Sequence, residues 1–134
     1  MPVDERTLEF CKPFPVSTRS LTEQPVTTPF GQRGLEINDG WLPIVAELLK
    51  GVEEEVLRLK SLGRKDDTLP LLAQVKEKFG ALRIYIDHPT EVTRELVAIA
   101  EGKSLKTCEL CGEPGRAIRA GWIQTLCDKH AAAA

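Results

Sequence analysis

The chain has 134 residues with 18 basic and 20 acidic side chains, a formal charge of −2, 42% hydrophobic and 5% aromatic content. This length suits one domain or one domain with a small module, and the balanced charge removes any whole-chain electrostatic reason to bind nucleic acid. The N-terminus, MPVDERTLEF, is acidic and has no apolar leader, and no apolar run approaches the ~20 residues that span a bilayer, so a soluble, cytoplasmic protein with no membrane contact is expected.

Residues 1–37 carry Pro2, Pro13, Pro15, Pro25 and Pro29, five of the nine prolines, and read as a Pro-rich arm. Proline fixes φ and withholds a donor, so long regular helices are not expected there. Short extended pieces are expected at Leu8–Cys11 and Gln24–Thr28. The arm either wraps the core or moves freely, and it can add a strand.

A core spans 38–105. Asp39-Gly40-Trp41 opens its first helix, with Asp39 as N-cap and Pro43 in the first turn. Trp41, Val45, Leu48, Leu49, Val52, Val56 and Leu59 recur at helical spacing, leaving Glu53, Glu54 and Glu55 as a solvated face and Gly63 as the stop. A hairpin follows: Leu71 to Lys78, a turn at Phe79-Gly80, then Ala81 to Ile86. Parity directs Leu71, Ala73, Val75, Phe79, Leu82, Ile84 and Ile86 toward the helices, with Glu77 out of pattern. Gln74, Lys76, Lys78, Arg83 and Tyr85 then share the outer face. Thr90 caps a second helix whose stripe is Val92, Leu96, Ile99 and Ala100, ending near Gly102.

Residues 106–130 contain Cys108-x-x-Cys111, fifteen residues, then Cys127-x-x-His130. Two close pairs of soft or borderline ligands match a zinc centre of the Cys3His type. All four positions are protein ligands, so the ion is expected to be structural, since a catalytic zinc keeps a position open for water. Gly112 permits a tight knuckle, Arg116–Leu126 a hairpin around Ala120-Gly121, and Cys127 starts a helical tail. That order is the treble-clef arrangement; a zinc ribbon is the alternative. Ala131–Ala134 reads as a tail of vector origin, outside any functional argument.

Cys11 stands outside the ligand set and reads as a small buried apolar residue. Trp41 reads as core, and Trp122 as a plug between the metal module and the helices. His88 is the only histidine left for general-base chemistry, and no activating partner motif accompanies it. Lys76, Lys78, Arg83 and Tyr85 form the candidate anion- or partner-binding face: three cations and an aromatic can contact phosphate and stack a base. The same four residues also suit an ordinary solvated sheet face.

The blocks Asp39-Gly40-Trp41, Val75-Lys76-Glu77-Lys78-Phe79-Gly80-Ala81-Leu82-Arg83-Ile84-Tyr85, Thr107–Gly115 and Gly121–His130 together resemble a family of small uncharacterised proteins of bacteriophages and bacterial genomes. The resemblance covers about two thirds of the chain. It implies a phage or bacterial origin and a cytoplasmic setting, and it transfers no activity. The expected fold is α+β: two helices on an antiparallel hairpin, then a treble-clef-like module. The expected function is a non-enzymatic, zinc-stabilised binding or regulatory protein that engages a protein partner. The alternatives are nucleic-acid binding through the basic strand face, and binding of, or an enzymatic reaction on, a phosphorylated small molecule.

Overall fold

The computed structural model describes residues 3–134. Its architecture is mixed α+β. The elements in chain order are α1 (Glu5–Cys11), α2 (Pro29–Arg33), β1 (Leu35–Glu36), α3 (Leu42–Ser61), β2 (Leu71–Lys78), β3 (Ala81–Asp87), α4 (Glu91–Ser104), β4 (Arg116–Ala120), β5 (Trp122–Leu126) and α5 (Asp128–Ala132). One sheet runs β1-β2-β3, with β1 parallel and β3 antiparallel to β2; a second pairs β4 with β5. No helix is long and apolar enough to cross a membrane among the described residues.

The Pro-rich arm wraps the core. Phe14, Phe30, Leu35 and Ile37 are buried in one cluster with Trp41, Val45, Leu49, Val52 and Val56. Leu8–Cys11 is not extended as expected: it lies within α1. No proline interrupts Val3–Lys12, and the Asp4 carboxylate accepts from the Thr7 amide at 2.8 Å, closing the helix start. Gln24–Thr28 pairs with no strand; Thr28 instead caps α2, with Pro29 in its first turn. The arm contributes β1 all the same.

Arm side chains also finish the sheet. Arg6 donates to the carbonyls of Leu35 and Ile37 at 3.0 and 2.8 Å, on the free side of the two-residue strand β1. Arg19 does the same for Pro70 and Leu69 at 3.0 and 2.7 Å, and Leu72 donates to Ser17 at 2.8 Å. On the far edge, α4 supplies the partners: the amides of Leu82 and Ile84 donate to Ser104 Oγ and Glu101 Oε2 at 3.0 and 3.1 Å. An unpaired strand edge is a pairing hazard, and these side chains blunt both.

Several local expectations are corrected. Asp39 does not cap the long helix. It belongs to a 3₁₀ turn, Asp39–Trp41, that precedes α3, and its carboxylate pairs with Arg6 at 2.7 Å. Of Glu53–Glu55 only Glu54 is exposed. Glu53 accepts from Ser17, while Glu55 is buried, bonded to Arg58 at 2.7 Å and to the Thr90 hydroxyl at 2.5 Å. Hydropathy cannot see a buried acid whose partners lie elsewhere in the chain. In β2 the register shifts between Leu72 and Gln74, so Leu72 joins the core cluster with Val75, in place of Leu71 and Ala73. Phe79 sits in the turn with φ 54° and is exposed. The buried face of α4 is Thr93, Ala100 and Ser104, with Leu96 and Val97 half-buried, while Val92 and Ile99 face solvent. Two of those buried residues are hydroxylic because the capping box and the β3 edge use them.

Glu55 gives the fold a pH signature. The bond from Arg58, with a smaller contribution from the Thr90 hydroxyl, outweighs burial and holds its carboxyl below the usual range. A depressed carboxyl stabilises the fold above the unfolded-state value of ~4.3 and stops doing so as pH falls through its folded value. Glu55→Gln should lower stability by about 1–2 kcal/mol at neutral pH. In urea melts the gap to wild type should shrink progressively below about pH 4.

Candidate metal centre

The chain from Lys106 to Pro114 folds into a knuckle held by its own backbone. Cys108 N donates to Glu113 O at 2.7 Å, Gly112 N to Cys108 O at 2.9 Å, and Gly115 N to Lys106 O at 2.9 Å. Gly112 has φ 84°, a region that side chains with a Cβ rarely enter. β4 and β5 then form a hairpin closed at Gly121, in the register Arg116↔Leu126 to Ala120↔Trp122. Cys127 occupies the N-cap of α5, so His130 falls one turn later on the same side as Cys127. An Arg116–Asp128 ion pair ties the hairpin base to that helix.

These turns bring the four sequence-predicted ligands together. One ligand atom from each of Cys108, Cys111, Cys127 and His130 lies within 4.8 Å of every other, a cluster that could hold a metal ion. Cys111 Sγ is 3.7 Å from Cys127 Sγ, and His130 Nδ1 is 3.5 and 3.2 Å from the sulfurs of Cys108 and Cys127. All four cysteines are free thiols. Burial opposes ionisation of Cys108, but amides of Cys127, Cys111 and Leu110 aimed at its sulfur bring the thiol down to about 6. Cys111 moves the other way. The amide of Glu113 favours its thiolate, yet burial and the neighbouring Cys108 and Cys127 sulfurs together raise it.

The cluster has a small apolar support of its own: Leu126, with Ile118 and Ala131 packed alongside. Ala131 and Ala132 complete α5, so this end of the chain is part of the module's fold. The module meets the main core through backbone. Gly40 N donates to Glu109 O at 3.0 Å, Trp41 Nε1 to Thr107 O at 2.9 Å, and Thr125 Oγ1 to Gly80 O at 2.6 Å. A Cβ on Gly40 would come within 2.2 Å of Cys108 O, and one on Gly80 within 2.9 Å of Ile123. Trp41 is core, as expected. Trp122 is not the plug: it is 70% exposed at the hairpin tip, and the Gly40–Gly80 contacts do that work instead.

The other candidate face is also where the alternation placed it. Lys76 is directly opposite Arg83, and Gln74 opposite Tyr85. Lys76 and Arg83 are half-buried, Lys78 and Tyr85 exposed. Glu36 of β1 lies beside Lys76 in register and receives Gln74 Nε2 at 3.4 Å, so an acid interrupts the basic row. Lys78 Nζ sits 5.6 Å above the Phe79 ring. His88 is exposed in the turn after β3.

One buried acid was not singled out from the sequence. Glu109, between the two knuckle cysteines, is 4% exposed, with Oε1 taking Gln124 Nε2 at 3.3 Å and Oε2 without a partner. Only the depth of the fold reveals it. Comparison with protein families, with curated proteins and with solved structures returns no match.

Gly40→Ala should destabilise the protein by about 3 kcal/mol, because the added methyl meets backbone that cannot swing aside. Thermal melts of wild type and variant at matched metal content check this. Cys11 is buried in the main core, and that burial pushes its thiol up to about 11. In metal-free protein Cys11 should therefore react with a disulfide reagent only at the rate of global unfolding, and more slowly than the exposed Cys111. Rapid reaction of all four would show that the core does not hold without the metal.

Proposed function

We propose that the protein is a small, non-enzymatic binding or regulatory protein whose C-terminal module is braced by one structural zinc ion, and that it engages a protein partner. The observation that carries this reading is the closed four-ligand cluster. A tetrahedral zinc with Zn–S of ~2.3 Å and Zn–N of ~2.0 Å separates two sulfurs by roughly 3.8 Å, and a sulfur from a nitrogen by roughly 3.5 Å. The three spacings of 3.7, 3.5 and 3.2 Å are close to those values. Four protein ligands leave no position for a reacting water, which favours bracing over catalysis. The order of knuckle, hairpin and helix, with the second ligand pair at the helix start, favours a treble clef over a ribbon.

The partner side of the reading rests on the strand face. A nucleic-acid surface needs a continuous basic row. Here Glu36 flanks Lys76 and Gln74 flanks Tyr85, a mixed face that suits a protein surface better than a phosphate backbone. Free thiols suit a reducing cytoplasm, in keeping with the phage or bacterial origin that the resemblance implies.

Metal analysis of protein purified without added zinc should give one zinc per chain. Cobalt substitution should give the intense visible bands of a tetrahedral thiolate site. Acidification should release the metal as the thiolates take up protons. For the partner, bait protein and a Lys76→Glu/Arg83→Glu variant with unchanged zinc content should be compared in native lysate: a specific protein captured by the first and lost by the second is expected. Salt-sensitive nucleic acid in its place would favour the alternative, and a melting temperature raised by phosphorylated metabolites would favour the small-molecule one.

A further inference from the structure

A cleft of about 370 Å³ lies where the C-terminal end of β1 meets the knuckle, walled by Leu35, Glu36, Ile37, Trp41, Glu77 and Glu109. Two of these, Glu77 and Glu109, bring carboxylates to the cleft, and no basic residue lines the wall; Glu36, in register with Lys76, carries its carboxylate on the outer face of the sheet. Each acid is held by hydrogen bonds. Glu109 is clamped on both sides, its amide donating to Thr125 O at 3.0 Å and its carbonyl accepting from Gly40 N at 3.0 Å. Glu77 Oε2 accepts from Gly80 N at 2.8 Å, and Glu36 Oε1 from Arg33 Nε at 3.1 Å. Glu109 differs in being buried: 96% of it is covered, and Oε2 has no donor. A buried acceptor left bare is costly, and such groups ordinarily have a partner.

We propose that this cleft is a binding site for an organic cation of the amine or guanidine class, with Glu109 and Glu77 accepting from its N–H groups and Trp41 and Leu35 lining its apolar part. The site goes beyond the reading above and rests on it only in that the ion would hold the knuckle from which Glu109 projects. A bare divalent ion does not fit. Among the described residues only the Cys108–His130 cluster brings three or more metal-ligating atoms close enough to share one ion, and the cleft has two carboxylates, too few to close around a point charge. A planar guanidinium or an alkylammonium spans separated carboxylates and fills a volume of this size, whereas hard cations need six or more oxygens at short range. The fold itself offers a precedent next door: Arg6 places its guanidinium on Leu35 O, Ile37 O and Asp39 at the opposite side of β1.

The test uses the zinc-loaded full chain, labelled with ¹⁵N and titrated in separate arms with agmatine, N-acetyl-arginine amide and magnesium chloride. Saturable amide shifts at Ile37, Asn38, Glu77 and Glu109 are expected in the agmatine arm, the arginine amide arm or both. Binding of agmatine alone assigns the site to a free cation, and binding of the arginine amide to a side chain presented by a protein. Glu77→Gln should weaken binding by about tenfold, while Glu36→Gln on the outer strand face and Glu54→Gln on the exposed face of α3 should leave it unchanged. Glu109→Gln should abolish it, with zinc content measured in parallel; if that variant loses zinc, the decision rests on Glu77→Gln. The proposal is overturned by the absence of saturable shifts in both organic arms, by equal shifts with magnesium, or by binding indifferent to Glu77.

Discussion

The structure turns on the contact between Gly40 and the knuckle. Two polypeptide backbones meet there with no side chain between them: Gly40 N bonds Glu109 O, and a single added carbon would sit 2.2 Å from Cys108 O. Trp41, the next residue, carries the same contact inward. Its indole N–H bonds Thr107 O while the ring is fully buried in the main core. The dipeptide therefore reads one side of the junction with a backbone amide and the other with the largest apolar side chain the chain has. A methyl at position 40 would meet backbone, and the indole at 41 reaches both the knuckle carbonyl and the core.

This junction explains how so short a chain supports two hydrophobic clusters. The C-terminal cluster holds Cys108, Leu126 and Cys127 with only Ile118 and Ala131 beside them, too little apolar burial to order some twenty-five residues against their conformational entropy. It needs cross-links, and it has two kinds: the four ligands within the module, and the polar bonds to Gly40, Trp41 and Gly80 outside it. The main core faces the opposite problem, a three-stranded sheet with two open edges. Arg6 and Arg19 from the arm, and Ser104 and Glu101 from α4, close those edges with side chains in place of further strands. Small size is compensated in both halves by directed polar contacts.

That division also accounts for what could be read in advance. The α3 stripe, the hairpin and the ligand spacing are periodic or local signals, and they appear where the periodicity placed them. Misreadings fall where a polar group is buried by a distant partner. Glu55 looked solvated because Thr90 is far along the chain; Thr93 and Ser104 stood outside the expected α4 stripe because capping and edge closure are invisible to hydropathy. Leu8–Cys11 was lost to the prolines that follow it, although Asp4 carried the capping signal. Trp122 was assigned to the junction on size alone, when the approach there is too close for any large side chain and belongs to Gly40 and Gly80.

The motif blocks that are far apart in sequence converge on this one seam. Gly40-Trp41, the Phe79-Gly80 turn, the knuckle and the Ile123–Leu126 strand all touch within it. Glu109 belongs to both sides at once. Its backbone lies between Thr125 and Gly40, and its side chain reaches the cleft beneath β1. An ion held by Cys108 and Cys111 would fix both ends of the short turn that carries Glu109, and so the floor of that cleft. Order at the ligands and shape at the cleft are then coupled through three consecutive peptide groups, with no allosteric path to invoke. A knuckle whose spacer residues merely filled space would have no reason to bury a carboxylate there, whereas one that positions a carboxylate needs the rigidity that the four ligands provide.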